Sequence, residues 1–571
     1  VRQDLENADV SGYFSGATLA ARFPDTDTSG QYWIRSGIAG FAEDAAQHFY
    51  LPERYTDPFG NTTTLEYDAR DLYIRSSRDA IGNTTTVELF DYRVLAPRRL
   101  RDINNNLSEV LFDALGMPTA MAVLGKENEG DNLTGFDETL LHPDVETLIR
   151  FFTRDYDEAE ARRFLGNATT RYLYYFGEED TGGVTYSHHP ACAAGLVREI
   201  HVAEGGANSP LQAGFEYSDG MGTVLVKKVQ AEPETEGEPL RWIASGKTIL
   251  NNKGKPVKQY EPYFSPHHRW DNEEASQEVG VTPILYYDAA GRQVRVEMPD
   301  GSYSRVEFSP WLMATWDAND TVLEPNDTVL EPGNAWYARY ASGTAEERRA
   351  ARLAAIHANT SAVTHLDSLG REVVAIMHNT LQRDGVVTEE KYLTYTKLDI
   401  EGKPLWIQDA RGNRVMEYIN PPGAETDFVP CYDIAGNLLF QHSMDGGNRW
   451  MLVDAAGKPF YAWDVNDRAI EDSSLVLERR RFHTVYDALH RPREQYLSID
   501  DAPSQLIERF VYGDTPELFA NRSPEEIPEA QERNLRGQVY QHYDASGLIT
   551  LAIYRILVSI FNEFKCTIQH F

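Results

Sequence analysis

Residues 287–298 read Tyr-Asp-Ala-Ala-Gly-Arg-Gln-Val-Arg-Val-Glu-Met, and the fold turns on that stretch. Asp288 stands three residues before Gly291, and the residues after the glycine alternate polar with apolar side chains, the period of a half-buried strand. An Asp carboxylate accepts a hydrogen bond from the backbone two residues on. The two middle residues take helical dihedrals, and Gly takes the positive φ that a short hairpin turn requires. The word therefore encodes a turn followed by a strand. It recurs at Asp57, Asp79, Asp113, Asp219, Asp367, Asp399, Asp409, Asp433, Asp454 and Asp544, each with Gly three residues later. Decayed copies pair Asp102 with Asn105, Asn251 with Gly254 and Asp487 with His490. The unit is about ten to twelve residues, sometimes doubled, which suits one strand plus one tight turn. The recurring Asp residues are read as turn caps and not as catalytic groups. The chain is all-β, built of serial hairpins, with more than about 40% strand against a globular average of roughly 20–25%. Gly291 and Gly436 are expected at positive φ.

Two segments break the pattern. Residues 344–357 carry a capping box, Thr344 with Glu347, and an Ala-rich run, which predicts a short helix. Residues 143–166 begin with Pro143, bear acids early and Arg162 and Arg163 late, and end on Gly166, the pattern of one or two further helices inserted among strands. Residues 126–131 and 232–238, acid-rich and Gly-containing, read as flexible loops. Residues 319–325 are duplicated as 326–332, which reads as a surface slippage repeat. The expected organisation is hairpins over 1–118, an irregular insertion with short helices over 119–275, and hairpins with an inserted helix over 276–512. A junction follows over 513–551, then an aberrant tail over 552–571.

The chain carries 54 Lys and Arg against 88 Asp and Glu, a net charge of −34, which repels phosphate and disfavours nucleic acid as a partner. Hydrophobic residues at 42% are too many for a disordered acidic chain, so the bulk must fold. No stretch approaches the ~20 apolar residues of a membrane-spanning helix. The chain opens on Val1 with Asp4, Glu6 and Asp9, which is not a secretory leader. Cys192, Cys431 and Cys566 match neither a zinc nor a redox spacing. The adjacent pairs His188-His189 and His267-His268 would point to opposite faces of a strand, and read as loop or surface histidines rather than metal ligands. No elbow, phosphate loop or zinc motif is present, so no catalytic, cofactor-binding or metal residue is nominated and no cofactor is expected. The sequons at Asn61, Asn83, Asn106 and Asn167 include two that directly follow a turn glycine, where turn chemistry explains the Asn.

The Tyr-Asp words at Tyr287-Asp288, Tyr432-Asp433 and Tyr543-Asp544 resemble the YD repeat of Rhs-type proteins. Residues 227–233, 251–265 and 364–371 look like the C-terminal half of the B component of insecticidal toxin complexes, and residues 534–547 look like the junction where the C component begins. The resemblance runs from about residue 50 to residue 551. It implies a curved strip of a hollow shell that encloses a cytotoxic C-terminal segment, secreted and later passed through a separate pore-forming A component. It also implies partners: the C component with its toxic segment, and the A component reached through an N-terminal propeller. Against that family the chain is expected to lack the propeller and the toxic segment, so it reads as a non-catalytic fragment. Two other readings remain open. One is a cell-surface YD-repeat adhesion or carbohydrate-binding protein with Trp311, Trp316 and Trp336 as a sugar platform, and the other is a glycosidase-like enzyme.

Overall fold

The computed structural model describes all residues except 1, 22, 35, 127–128, 181–183, 187–188, 207, 220, 236, 271–281, 325–332, 470–474, 501, 516–526, 552–553 and 555–571. Strands take up 45% of the chain and helices 13%, so the hairpin reading holds. Two compact units emerge: Val1–Tyr186 with Ala193–Gly214 and Arg449–Phe571, and Ser187–Cys192 with Phe215–Asn448.

In the first unit, nine strands from Ile38–Gly40 to Thr170–Tyr175 form an antiparallel meander in which each strand pairs with the next in sequence. Six more, Pro459–Ala469 to Gly547–Thr550, do the same. Between Pro118–Gly125 and Thr170–Tyr175 the chain forms the helices Val145–Thr153 and Glu158–Leu165. The Asp144 and Asp157 carboxylates cap their first amides, and Gly166 ends the second at φ +53°. Both helices bury an aromatic face: Phe151 packs edge-on to Phe152 and Phe164, and Phe152 stacks on Tyr175 of the sheet.

The second unit repeats the plan. Ten strands from Ile284–Tyr287 to Phe440–Ser443 pair in sequence order, the longest hairpin being Glu372–Arg383 with Val386–Leu398. The predicted helix is Ala345–Ile356, with the Thr344–Glu347 capping box closed in both directions. A second helix, Ala335–Ala341, packs against it. It was not anticipated, since its cap Asn334 lies just beyond the duplicated run. Leu405, Trp406 and Ile419 form a small core here, with Phe428 against it.

Three loop and surface readings need correction. Asp131, expected in a flexible loop, has a fully buried side chain. The first copy of the duplicated heptad is no surface loop: Asp320, Thr321 and Val322 are buried, and Asp320 accepts from the Thr360 amide and hydroxyl. The second copy lies wholly outside the described residues. His268 is buried against Phe215, with ring centres 4.3 Å apart, because its loop folds inward over Trp242. Among the described residues no helix is long and apolar enough to cross a membrane.

Gly291 and Gly436 sit at φ +80° and +90°. A Cβ at Gly436 would meet nothing nearer than Lys403 Cε at 3.7 Å, so the penalty of a side chain there is purely one of backbone conformation. Changing either glycine to Val should cost about 1–2 kcal/mol, because a β-branched residue is strained at positive φ. A thermal melt of each variant checks this, and an unchanged midpoint would remove the turn assignment.

Candidate functional site

The recurring hairpin turns are closed by a single side-chain acceptor, a carboxylate in the Asp copies and the Asn251 amide oxygen in one decayed copy. In the copy that begins at Asp79, Oδ1 accepts from the Ile81 and Asn83 amides at 3.0 and 2.8 Å, and Oδ2 accepts from the Asn83 side-chain amide at 2.8 Å. The backbone closes around it through Gly82 N to Asp79 O and Asp79 N to Asn83 O. The amide four residues on reaches the Asp Oδ1 at 2.7–3.0 Å in copies beginning at Asp57, Asp113, Asp288, Asp367, Asp409, Asp433 and Asp454. Where that fourth residue is Arg, as in Arg292, Arg371 and Arg491, its guanidinium takes the place of Asn on Oδ2. The decayed copies keep the geometry: Asn105 and His490 hold φ +65° and +59° where Gly is usual. Only Asp544 departs, pairing directly with Gly547 in a tighter turn. Donors from the backbone hold Asp219, Asp288, Asp367 and Asp409 below the usual carboxylate range, the amide four residues on being the largest cause in each case.

A second lock joins one hairpin to another. Five strands begin with Pro five residues after the turn Asp or Asn: Pro118, Pro256, Pro404, Pro459 and Pro492. Having no N–H, Pro is tolerated at a strand's first residue. Its carbonyl receives the hydroxyl of a Tyr from a later hairpin, through Tyr174, Tyr287, Tyr432, Tyr486 and Tyr512 respectively, at 2.6–3.0 Å. Tyr287, Tyr432 and Tyr486 are the Tyr of the Tyr-Asp word, so the same residue that opens one turn pins an earlier strand. Burial pushes the Tyr432 and Tyr486 hydroxyls up to about 12, which keeps them donors. Sequence reading found the Tyr but missed the Pro; its signal was its constant place five residues after the turn acid.

Within the first unit these turns also meet residues more than 400 positions away. Asp514, its side chain fully buried, accepts from Asn83 Nδ2, Arg491 Nη2 and Gly537 N, each at 2.9 Å. Asn104 and Arg536 exchange a reciprocal pair at 3.1 and 3.0 Å, and Asn534 Oδ1 accepts from Asn106 and from Lys126 Nζ at 3.0 and 2.7 Å. Farther along, Tyr461 donates to Asp4, Tyr13 to the Val453 carbonyl, and Phe59 stacks on His490. Burial works against the Arg491 charge, but hydrogen bonds to Asp514 and Asp487 outweigh it and raise its pKa. Residues 534–540, singled out as the junction run, are thus one side of a polar seam. Of the tail over 552–571 only Tyr554 is described, and it docks here, donating to the Val539 carbonyl and accepting from Asn534.

A buried polar cluster lies in the same unit. Asp131 accepts from Thr169 Oγ1, His201 Nδ1 and Val202 N at 2.6–2.8 Å, with Arg198 Nε at 3.7 Å. Arg198 itself donates to the Gly166 and Ala168 carbonyls and to Ser209. An Asp–His pair has the elements of a general base, but His201 Nε2 is sealed without a partner, so it reaches no substrate.

The other residues weighed from sequence do not converge. His189 contacts its own Pro190 carbonyl, and His188 lies outside the described residues. Cys192 is buried, with its thiol pushed up by desolvation. Trp316 lies under Arg305 at 3.6 Å and Trp336 stacks on Tyr340, leaving Trp311 exposed. Asn61, Asn83 and Asn106 spend their amides on turn carboxylates. Among the described residues no group of three or more His, Cys, Asp or Glu converges as a metal site.

No family model matches the chain. Over 197 residues, 34% of the chain, it is 27% identical to toxin subunit YenC2 of Yersinia entomophaga, of which the match spans 18%. The crystal structure of TcdB2-TccC3 superposes on 92% of the chain with a TM-score of 0.65 at 20% identity, and the match covers 23% of that chain. The Tc holotoxin pore structure of Photorhabdus luminescens superposes on 97% with a TM-score of 0.66 at 19% identity, over 26% of that chain. The chain therefore spans about a quarter or less of the length of the proteins it matches. Those relatives are Tc toxin subunits, and the fold is theirs.

Two predictions follow from the locks. Asp514→Ala leaves the Gly537 amide without its acceptor and takes one carboxylate each from Asn83 and from Arg491, which keeps Asp487, and should destabilise the seam by about 1–3 kcal/mol, the usual cost of unmade buried hydrogen bonds. Amide hydrogen exchange over residues 534–540 would rise, and unchanged protection would contradict the seam. The depressed turn carboxylates contribute stability that is complete above their unfolded values and lost as pH falls below about 4 toward their folded ones. Replacing Asp219, Asp288, Asp367 and Asp409 together by Asn should flatten the fall in melting temperature below that pH.

Proposed function

We propose that the chain is a wall segment of a Tc-type toxin shell, a scaffold and container rather than a catalyst. The observation that carries this is the recurring double lock: turn carboxylates close successive hairpins, and at five places a Tyr hydroxyl ties one to the Pro carbonyl of an earlier one. Such a strip supports itself laterally and needs no thick core, which is what a wall requires. The likeness to Tc subunits over nearly the whole chain supports the same reading. In it, residues 1–118 and 276–512 are wall hairpins, 119–275 an insertion, 513–551 the junction with a C component and 552–571 a divergent tail. The partners would be that C component with its toxic segment, and a pore-forming A component reached through a propeller. Secretion would follow from membership of such a complex. The sealed His201 argues against an enzyme, and the separate engagement of Trp316 and Trp336 argues against a sugar platform.

Strand Gly547–Thr550 pairs with Val539–Asp544 and exposes Leu548 and Ile549. An uncovered strand edge templates pairing between chains. The purified chain is expected to self-associate, to kill no cells unaided, and to turn over no sugar substrate. Light scattering coupled to size exclusion, beside a cell-killing assay, checks this. A monodisperse chain that kills cells by itself would overturn the wall reading.

A further inference from the structure

Phe49 and Tyr50 are consecutive aromatic residues, both at φ +54°, and they are 79% and 68% exposed. Either feature alone is uncommon. Bulky side chains in the left-handed region are strained, and two bare rings forgo burial as well. Fraying does not explain the conformation, because the backbone is tied on both sides. Tyr50 N and His48 N donate to the Ala45 carbonyl at 2.8 and 3.0 Å, Leu51 N to His48 O at 3.0 Å, and Glu53 N to Gly40 O at 2.8 Å. The His48 imidazole is clamped to the Asp71 carboxylate at 3.0 Å and lies 3.6 Å from Asp44. Ala45 is buried beneath the turn. The fold thus holds two rings outward in a strained turn from which it gains nothing itself.

The surrounding charge selects what could cover them. Glu43 and Asp44 are exposed on the same short turn, and Asp71 adds a third carboxylate. Two nearby basic groups are engaged, His48 with Asp71 and Arg70 stacked over Tyr92 at 4.5 Å. The chain's net charge of −34 adds a long-range attraction for a basic partner over an acidic one. Lys and Arg side chains suit it on both counts, since their cations sit over aromatic faces and their stems cover apolar surface.

We propose that Phe49 and Tyr50 form a docking platform for a Lys/Arg-rich polypeptide segment, steered and held by Glu43 and Asp44. This goes beyond the wall reading and stands independently of it.

The test uses the full chain and a short fluorescent Arg/Lys/Gly peptide, with a Glu/Gly peptide as the opposite-charge control. Fluorescence anisotropy is expected to show the basic peptide binding and the acidic one not. The Phe49→Gly, Tyr50→Gly double variant leaves the net charge unchanged, so non-specific attraction is the same, yet it should weaken binding at least about tenfold. Because Gly adopts positive φ without strain, the same variant should keep or raise the melting temperature. Glu43→Gln with Asp44→Asn should weaken binding and steepen no unfolding transition. Equal affinity in the aromatic variant, equal binding of the acidic peptide, or a lowered melting temperature for the Gly variant would each overturn the platform, the last by showing that the rings serve the fold.

Discussion

Everything in this chain rests on one carboxylate accepting two backbone amides at a turn. Most strands here pair with the next in sequence, so most registers are set by the turn between them. A slip of one residue would reverse the faces of the following strand. In the second unit the cluster of Leu405, Trp406 and Ile419 is small, and many strand residues are only half-buried. The Asp therefore does locally what a deep core does in a sandwich. Its Oδ2, taken up by Asn or Arg four residues on, makes the turn rigid enough to specify the strand that leaves it.

The Tyr–Pro bond extends that local order to the next neighbour. Each such bond contributes only about 0.5–1.5 kcal/mol net, so no single one decides the fold. Their effect lies in repetition, since every Tyr reports on the register of a strand one or two hairpins back. Register shifts recorded beside the turns, as between Lys397 and Leu398 or Val485 and Tyr486, add the local bend that a β-bulge provides. Cation–aromatic pairs, Arg295 on Tyr303, Arg414 on Trp406 and Arg491 on Tyr512, cover the faces between them. Arg491 and Arg292 do two things at once, each covering a ring and neutralising a turn carboxylate, Asp487 and Asp288.

Polar burial is concentrated where long-range order is required. Asp514 and Asp131 have fully buried side chains, and each is satisfied by three or more donors drawn from distant segments. A buried charge with its full complement of partners tolerates one arrangement only, which suits a seam that must find the right partner across more than 400 residues.

The hairpin series was legible from residues 287–298 alone, because Asp, Gly and alternation are local rules enforced by backbone sterics and one side-chain acceptor. The helices Val145–Thr153, Glu158–Leu165 and Ala345–Ile356 were legible for the same reason: caps and termini are written within a few residues. What the sequence could not disclose is which polar residues are drawn inward. Asp131 looks like a loop acid, His268 like a surface histidine and Asp320 like part of a slippage repeat, yet all three are buried. Their burial depends on partners remote in the chain, the donors Arg198 and His201 for Asp131 and Thr360 for Asp320, and the rings of Trp242 and Phe215 around His268. Local composition determined where the chain turns. Only the tertiary structure decided which charges could leave water, because that requires partners no neighbouring residue supplies.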